Sequence, residues 1–160
     1  MADVSEFMAK AADAIRQHLK DYLETDGAIG YERPTPGIGG PPIKIHLILR
    51  TIGRKSGAAR LTPLLFNHWN DEFAIVASKG GADEHPGWFL NMSAAETVDV
   101  QIRNERYRCT WRIAEGEERE SLWRFMADYF PPYDTYQAVA ARQIPVVLLK
   151  QVGNIEGRFS

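Results

Sequence analysis

The stretch IHLILRTIGRKSGAARLTPLLFNHWNDEFAIVASK, residues 45–79, decides the fold. Its apolar runs IHLILRT (45–51), RLTPLLFNHW (60–69) and EFAIVASK (72–79) are short and rich in β-branched and aliphatic residues, which predicts three successive strands. The second break falls at Asn70-Asp71, a pair suited to a tight turn. The first break gathers Arg54, Lys55 and Arg60 around Gly53, Ser56 and Gly57. Taken alone, these cations read as solvated turn residues, the usual fate of such charges. Glycines, however, also let backbone N–H groups approach an anion closely, and an arginine offers two parallel hydrogen bonds to phosphate or carboxylate.

Downstream, TVDVQIR (97–103) and ERYRCTWRIA (105–114) alternate apolar and polar residues around Asn104, which predicts a hairpin. HPGWFLNMSAA (85–95) carries Pro86 at the start of a short helix. A helix over Glu117–Tyr129 and a second from Tyr133 to about Arg142 precede a buried strand, IPVVLLK (144–150). Strands that follow one another, with helices inserted late, predict a mainly β, α+β domain: a small antiparallel barrel decorated by helices.

Upstream, Asp3 to Leu23 has helical periodicity. Val4, Phe7, Met8, Ala11, Ile15, Leu19 and Tyr22 form the apolar stripe, and Asp3 with Glu6 suits a capping box. The stripe packs on the domain or meets a membrane surface or partner; its mixed charge favours the former. TDGAIGYERPTPGIGGPPIK (25–44) is too dense in Gly and Pro for a regular element and reads as a linker or lid. The expected organisation is an N-terminal helix over 1–23, a linker or lid over 24–43, a barrel over 44–152 and a tail over 153–160. GNIEGRFS contains Ile-Glu-Gly-Arg, an engineered protease-cleavage sequence, so the tail is set aside as adding nothing apolar.

The bulk composition narrows the function. With 160 residues, 44% hydrophobic and 25% charged, the chain is long enough for one domain with a real core. A formal charge of −2 opposes general nucleic-acid binding. Cys109 is the single cysteine, so it forms no intrachain disulfide, and on a strand it reads as core. No apolar run is long enough to cross a bilayer and no signal peptide opens the chain; a cytoplasmic protein is expected. His18, His46, His68 and His85 are scattered without metal-ligand spacing and read as structural or exposed; no metal is expected.

A second segment changes the reading of the cationic turn. VASKGGADEHPGW (76–88) ends a strand on Ser78, Lys79, Gly80 and Gly81, repeating small residues plus a cation. If the strands are neighbours, both loops open on one side, and Trp88 and Phe89 add flat apolar surface. Cations at one end and aromatics at the other describe a pocket for a ligand with an anionic tail and a planar head.

Three motifs in register, TxGRKSGxxRxTPL (51–64), ASKGGAxxxPxWFLN (77–91) and YDTYQAVAARQIPVVLL (133–149), resemble the deazaflavin-dependent nitroreductase family, whose members use coenzyme F420. The resemblance runs from about Lys44 to Leu149. It implies a split β-barrel related to flavin-binding pyridoxamine-oxidase-like proteins. It also implies a reductase that passes a hydride from the reduced deazaflavin to a quinone or nitroaromatic acceptor. Carried over residue by residue, Arg54, Lys55, Ser56 and Arg60 would hold the coenzyme's phosphate and oligoglutamate tail. Thr62, Pro63, Ala77, Ser78 and Lys79 would line its phosphate and ring region, with Trp88 and Asn91 enclosing it.

Acceptor contacts are expected from DYFPPYDTYQ (128–137), where Tyr129, Phe130, Tyr133 and Tyr136 flank Pro131-Pro132 as a lid. The resemblance gives Ser78, Tyr133 and Tyr136 the role of orienting the acceptor and stabilising charge, within a pocket formed with Leu65 and Phe130. Phe130 and Leu65 stand where family members carry tyrosine, which removes polar contacts from the acceptor side. The coenzyme carries over but an acceptor preference does not, least of all activity on bicyclic nitroimidazoles; reduction of a menaquinone-like quinone remains the expectation. An FMN-binding oxidoreductase of the same barrel class and a non-catalytic deazaflavin carrier remain as alternatives, as does peripheral attachment to the inner membrane face through the N-terminal helix.

Overall fold

A computed structural model describes residues 4–159. The chain runs from α1 (Val4–Thr25) through β1 (Glu32–Pro34), β2 (Ile43–Ile52), β3 (Ala59–Trp69) and β4 (Glu72–Val76). A single 3-10 turn at Lys79–Gly81 leads to α2 (Gly87–Ser93), then β5 (Thr97–Ile102) and β6 (Glu105–Ile113). The helices α3 (Gly116–Tyr129) and α4 (Pro132–Val139) precede β7 (Val146–Asn154).

All pairings are antiparallel. The order β2-β3-β4-β7-β6-β5 closes through β5 onto β2, with Leu49 opposite Val100, so six strands form a barrel. Two-residue turns join the hairpins: Asn70, at φ 53, turns β3 into β4, and Arg103, at φ 55, precedes Asn104 between β5 and β6. The strands are buried on both faces where helices cover the barrel. In β7, Val147 and Leu149 point into the barrel core with Leu47, Phe66 and Cys109. Their neighbours Val146 and Leu148 pack outward under Leu122, Met126 and Tyr133 of α3 and α4. That double burial explains the unbroken apolar run of this strand. Each such side chain contributes about 1.5–3 kcal/mol of transfer free energy. Cys109 is core, and burial pushes its thiol up to about 12.

Toward the N-terminus two expectations change and one is not tested. The proposed Asp3 cap lies outside the described residues. Within the stripe of α1, Leu19 and Tyr22 pack with Leu23 near Ile48, while Ala11 and Ile15 are exposed, Ile15 at 55%; the side chains of Val4, Phe7 and Met8 lie outside the described ones. The linker holds a regular element after all: β1 pairs with β2, Glu32 opposite Ile45, along the edge that β5 uses further on. Three residues including Pro34 are too few to leave a pattern in the sequence.

The rest of this segment is strapped down. Lys44 is buried, and its ammonium donates to Thr35 Oγ1 at 2.8 Å, to Gly39 O at 3.0 Å and to Pro41 O. Burial without a carboxylate partner pushes its pKa below the ordinary lysine range. Gly40 sits so close to the end of α3 that a Cβ there would lie 2.3 Å from Tyr129 O.

The tail was set aside wrongly. Gly153 and Asn154 complete β7, Ile155 N–H donates to Arg106 O at 2.9 Å, and Phe159 is buried beside Tyr22 under the Arg50 guanidinium. An isolated aromatic in a polar run gives no periodic signal.

Candidate functional site

The turn between β2 and β3 is built around Gly53. Its N–H donates to Ala58 O at 2.7 Å, and a Cβ there would meet Ser56 Oγ at 2.6 Å, so a larger residue would displace the serine hydroxyl. Gly57 takes φ +72, which returns the chain into β3. The Ser56 hydroxyl accepts from Ala58 N–H at 3.2 Å, which assigns it to the turn. Register puts Thr51 opposite Arg60.

A cleft of about 510 Å³ lies against this turn, lined by Arg54, Lys55, Ser56, Arg60, Thr62, Trp88 and Asn91. Arg54 is held in place: its backbone N–H and its Nη1 both donate to Asn91 Oδ1, at 3.1 and 2.9 Å. Asn91 Nδ2 in turn donates to Thr51 Oγ1 at 3.4 Å. Lys55 and Arg60 are exposed and make no ion pair among the described residues. Two cations without carboxylate partners form a ready site for a polyanion.

A second cleft, of about 670 Å³, shares Trp88 with the first in its lining. Pro63, Leu65, Ser78, Lys79, Phe130, Tyr133 and Tyr136 line it. Tyr133 is buried, and desolvation raises its hydroxyl above the usual tyrosine range, so it stays a neutral O–H donor. Its ring meets Phe130 edge-on at 4.8 Å and Tyr136 at 6.3 Å.

Not every expected residue is placed for ligand contact. The Ala77 side chain lines neither cleft and lies in the barrel core. Lys79 lines the second cleft, but its ammonium pairs with Glu84 at 3.2 Å. Tyr129 is structural, since its hydroxyl accepts from Ile45 N–H at 2.7 Å. Asn91 spends its oxygen on Arg54 and so shapes the turn.

One wall of the second cleft was not anticipated. Ile15 and His18 from α1, Arg33 and Pro34 from β1, and His46 from β2 complete it. His18 and His46 meet edge-on with ring centroids 5.0 Å apart, although they stand 28 positions apart in the chain. Burial is the main cause that lowers His46 to about 4, with His18 and Arg33 adding to it. Arg142 was also missed: its guanidinium donates to Ser78 O at 3.1 Å and Ala82 O at 3.0 Å, bracing the turn that carries Ser78. The signal for the wall lay in the length of the Gly/Pro segment, because long irregular segments in compact domains are often functional.

Two clefts that share Trp88 in their lining, one cationic and one aromatic, suit an elongated anion with a flat head. The family model described as F420H(2)-dependent quinone reductase matches residues 14–151. The chain belongs to that family. An F420H(2)-dependent quinone reductase of Mycobacterium tuberculosis is 32% identical over 152 residues, covering 92% of this chain and 97% of the relative. A solved F420-H2 dependent reductase is 40% identical, with a TM-score of 0.60, over 66% of this chain and 93% of its own. A second solved structure, a domain-swapped dimer, is 32% identical with a TM-score of 0.64, covering 92% and 100%.

As an F420H(2)-dependent quinone reductase, the protein is an oxidoreductase whose coenzyme is reduced F420, on a split-barrel fold. The donor set suits that coenzyme: Lys55 and Arg60, without ion pairs among the described residues, for an acidic tail, and Trp88 in the lining of both clefts. No group of three His, Cys, Asp or Glu side chains among the described residues is arranged to hold a metal. No helix among them is long and apolar enough to cross a membrane.

Proposed function

We propose that the coenzyme's acidic tail lies along Lys55 and Arg60, with its ring beside Trp88, and that the acceptor enters the second cleft against Ser78, Tyr133 and Tyr136. The observation that carries this reading is Trp88, which lines both the cationic and the aromatic cleft. Bound there, the reduced deazaflavin supplies a hydride; the protein's part is binding, orientation and exclusion of water.

Each residue then has a physical task. Lys55 and Arg60 neutralise carboxylates or phosphate at the solvent edge. Asn91 keeps the Arg54 backbone and guanidinium turned toward the mouth. Neighbours on β3, Thr62 lines the first cleft and Pro63 the second. Ser78 and Tyr133 donate O–H hydrogen bonds to a quinone carbonyl oxygen as charge develops on it. Leu65 and Phe130, with no polar atom in their side chains, favour a flat apolar acceptor such as a naphthoquinone over one that needs several hydrogen bonds.

Ile15, 55% exposed at the rim of the acceptor cleft, offers a path for an apolar quinone tail. The same reading makes α1 the element that meets a membrane surface on the cytoplasmic side, where such quinones are held. Cosedimentation with anionic vesicles tests that role: binding lost on deletion of residues 1–30 supports it, and unchanged binding or none at all rejects it.

The test of the main reading is a titration with F420 and, separately, FMN, followed by steady-state oxidation of F420H2 with menadione. Saturable F420 binding with turnover supports the proposal. FMN binding without F420 binding overturns it, and tight F420 binding without turnover replaces the reductase with a carrier.

A further inference from the structure

The unanticipated wall holds a cation that the reading above leaves idle. Arg33, on β1, lines the acceptor cleft and makes no ion pair among the described residues. Its neighbour Glu32 pairs elsewhere, with Arg103 at 3.7 Å. A neutral imidazole holds Arg33 instead: its Nη1 donates to His18 Nδ1 at 2.9 Å, while His18 Nε2 donates to Gly30 O at 2.8 Å. These two contacts define one tautomer, with the proton on Nε2 and the lone pair of Nδ1 turned to the guanidinium. One N–H of five is engaged in this way, which leaves the rest of the fork for another acceptor atom.

We propose that Arg33 stabilises the negatively charged oxygen of the reduced acceptor, and that His18 is the positioning residue that aims it. The proposal rests on the second cleft being the acceptor site. A quinone reduced by hydride gains two electrons and one proton, lost by the reduced coenzyme, and becomes a hydroquinone monoanion with its charge on oxygen. A proton from water then completes the hydroquinone, matched by the proton released to solvent as the coenzyme is oxidised.

The charge that appears on the acceptor therefore needs a counter-charge in this cleft. Ser78 and Tyr133 offer neutral donors, Leu65 and Phe130 offer none, and Lys79 is already paired with Glu84. Arg33 meets the requirement. Burial lowers the pKa of His18, the nearby Arg33 charge lowers it further, and the ring stays an acceptor toward the guanidinium. A fixed cation that faces the charge only after hydride arrives favours the transition state over the neutral ground state.

The experiment compares wild type with Arg33→Met, Arg33→Lys, His18→Ala and the double variant His18→Ala/Arg33→Met. The readouts are F420 affinity by fluorescence, menadione turnover, and affinity for 4-nitrophenolate and its neutral analogue 4-nitroanisole without coenzyme. Arg33→Met is expected to lower kcat about tenfold and to weaken 4-nitrophenolate about tenfold, with F420 and 4-nitroanisole affinity unchanged. Arg33→Lys should recover part of both losses. His18→Ala should lower kcat with little change in KM, and the double variant should be no worse than Arg33→Met, because His18 acts through Arg33.

Wild-type kcat and phenolate affinity in Arg33→Met overturn the proposal while normal F420 binding leaves the coenzyme assignment standing. Additive losses in the double variant overturn the positioning role of His18. Wild-type protein that binds no F420 overturns the parent reading itself.

Discussion

Asn91 gathers the backbone N–H and the guanidinium of Arg54 onto one side-chain oxygen, at 3.1 and 2.9 Å. The amide sits on α2 and is buried, so the helix under the barrel mouth dictates the shape of a loop 37 positions earlier. Asn91→Ala should leave both donors unpaired and loosen the turn. The expected loss is about 1–3 kcal/mol in folding stability, measured by denaturant titration, with weaker F420 binding in the same variant. Unchanged binding would separate the turn from the coenzyme.

Lys55→Ala and Arg60→Ala should each weaken F420 by about 1 kcal/mol, the modest size reflecting their exposure. The loss should grow with the number of glutamates in the tail. Isothermal titration with a tail-free and a long-tailed coenzyme checks this, and equal losses for both would move the tail elsewhere.

Gly40→Ala should detach the Gly/Pro segment from α3. Gly40 has φ +68, and an added Cβ would stand 2.3 Å from Tyr129 O and 2.7 Å from Asp128 O, backbone atoms that cannot give way. Gly37→Ala is the control: its φ is +76, but a Cβ meets nothing within 4 Å. The control should cost about 1 kcal/mol from backbone strain alone, and Gly40→Ala about 1–3 kcal/mol more. Limited proteolysis after residues 35–42 should quicken only in Gly40→Ala. Equal behaviour of the two would mean that the close approach carries no weight.

His46 makes stability depend on acid. Its folded pKa is about 4 against an ordinary 6.5, because burial and the neighbouring Arg33 and His18 disfavour its charge. As pH falls below 6.5 the unfolded chain binds a proton that the folded protein refuses until about pH 4. The contribution is therefore present above pH 6.5 and lost between pH 6.5 and 4, by about 3 kcal/mol at the acid end. His46→Gln should flatten that part of a thermal-melt profile measured against pH. An unchanged slope would assign it to other groups.

The barrel was legible because its strands are short apolar runs, alternating in the 97–114 hairpin, between clear turn residues, and the late helices because their apolar spacing is helical. Closure was not, since the contact of Leu49 with Val100 joins segments 51 positions apart and leaves no local trace. On the site, the cationic turn and the Ser78 segment stood out because their residues are contiguous. The opposing wall is assembled from α1, β1 and β2, and its members look ordinary singly: one histidine in a helix, one arginine in a loop, one histidine in a strand. Phe159 was invisible for the same reason, an isolated ring whose partners, Tyr22 and Ile48, lie far away in the chain.

Lys44 has no carboxylate partner among the described residues; carbonyl and hydroxyl oxygens hold it inside the protein. Bonds of that kind are shielded from counter-ions, whereas Lys55 and Arg60 face bulk solvent and act on their ligand through a screened field. Ionic strength is consequently a selective handle: raising it should release the coenzyme from its mouth while the Gly/Pro strap stays fastened across the barrel.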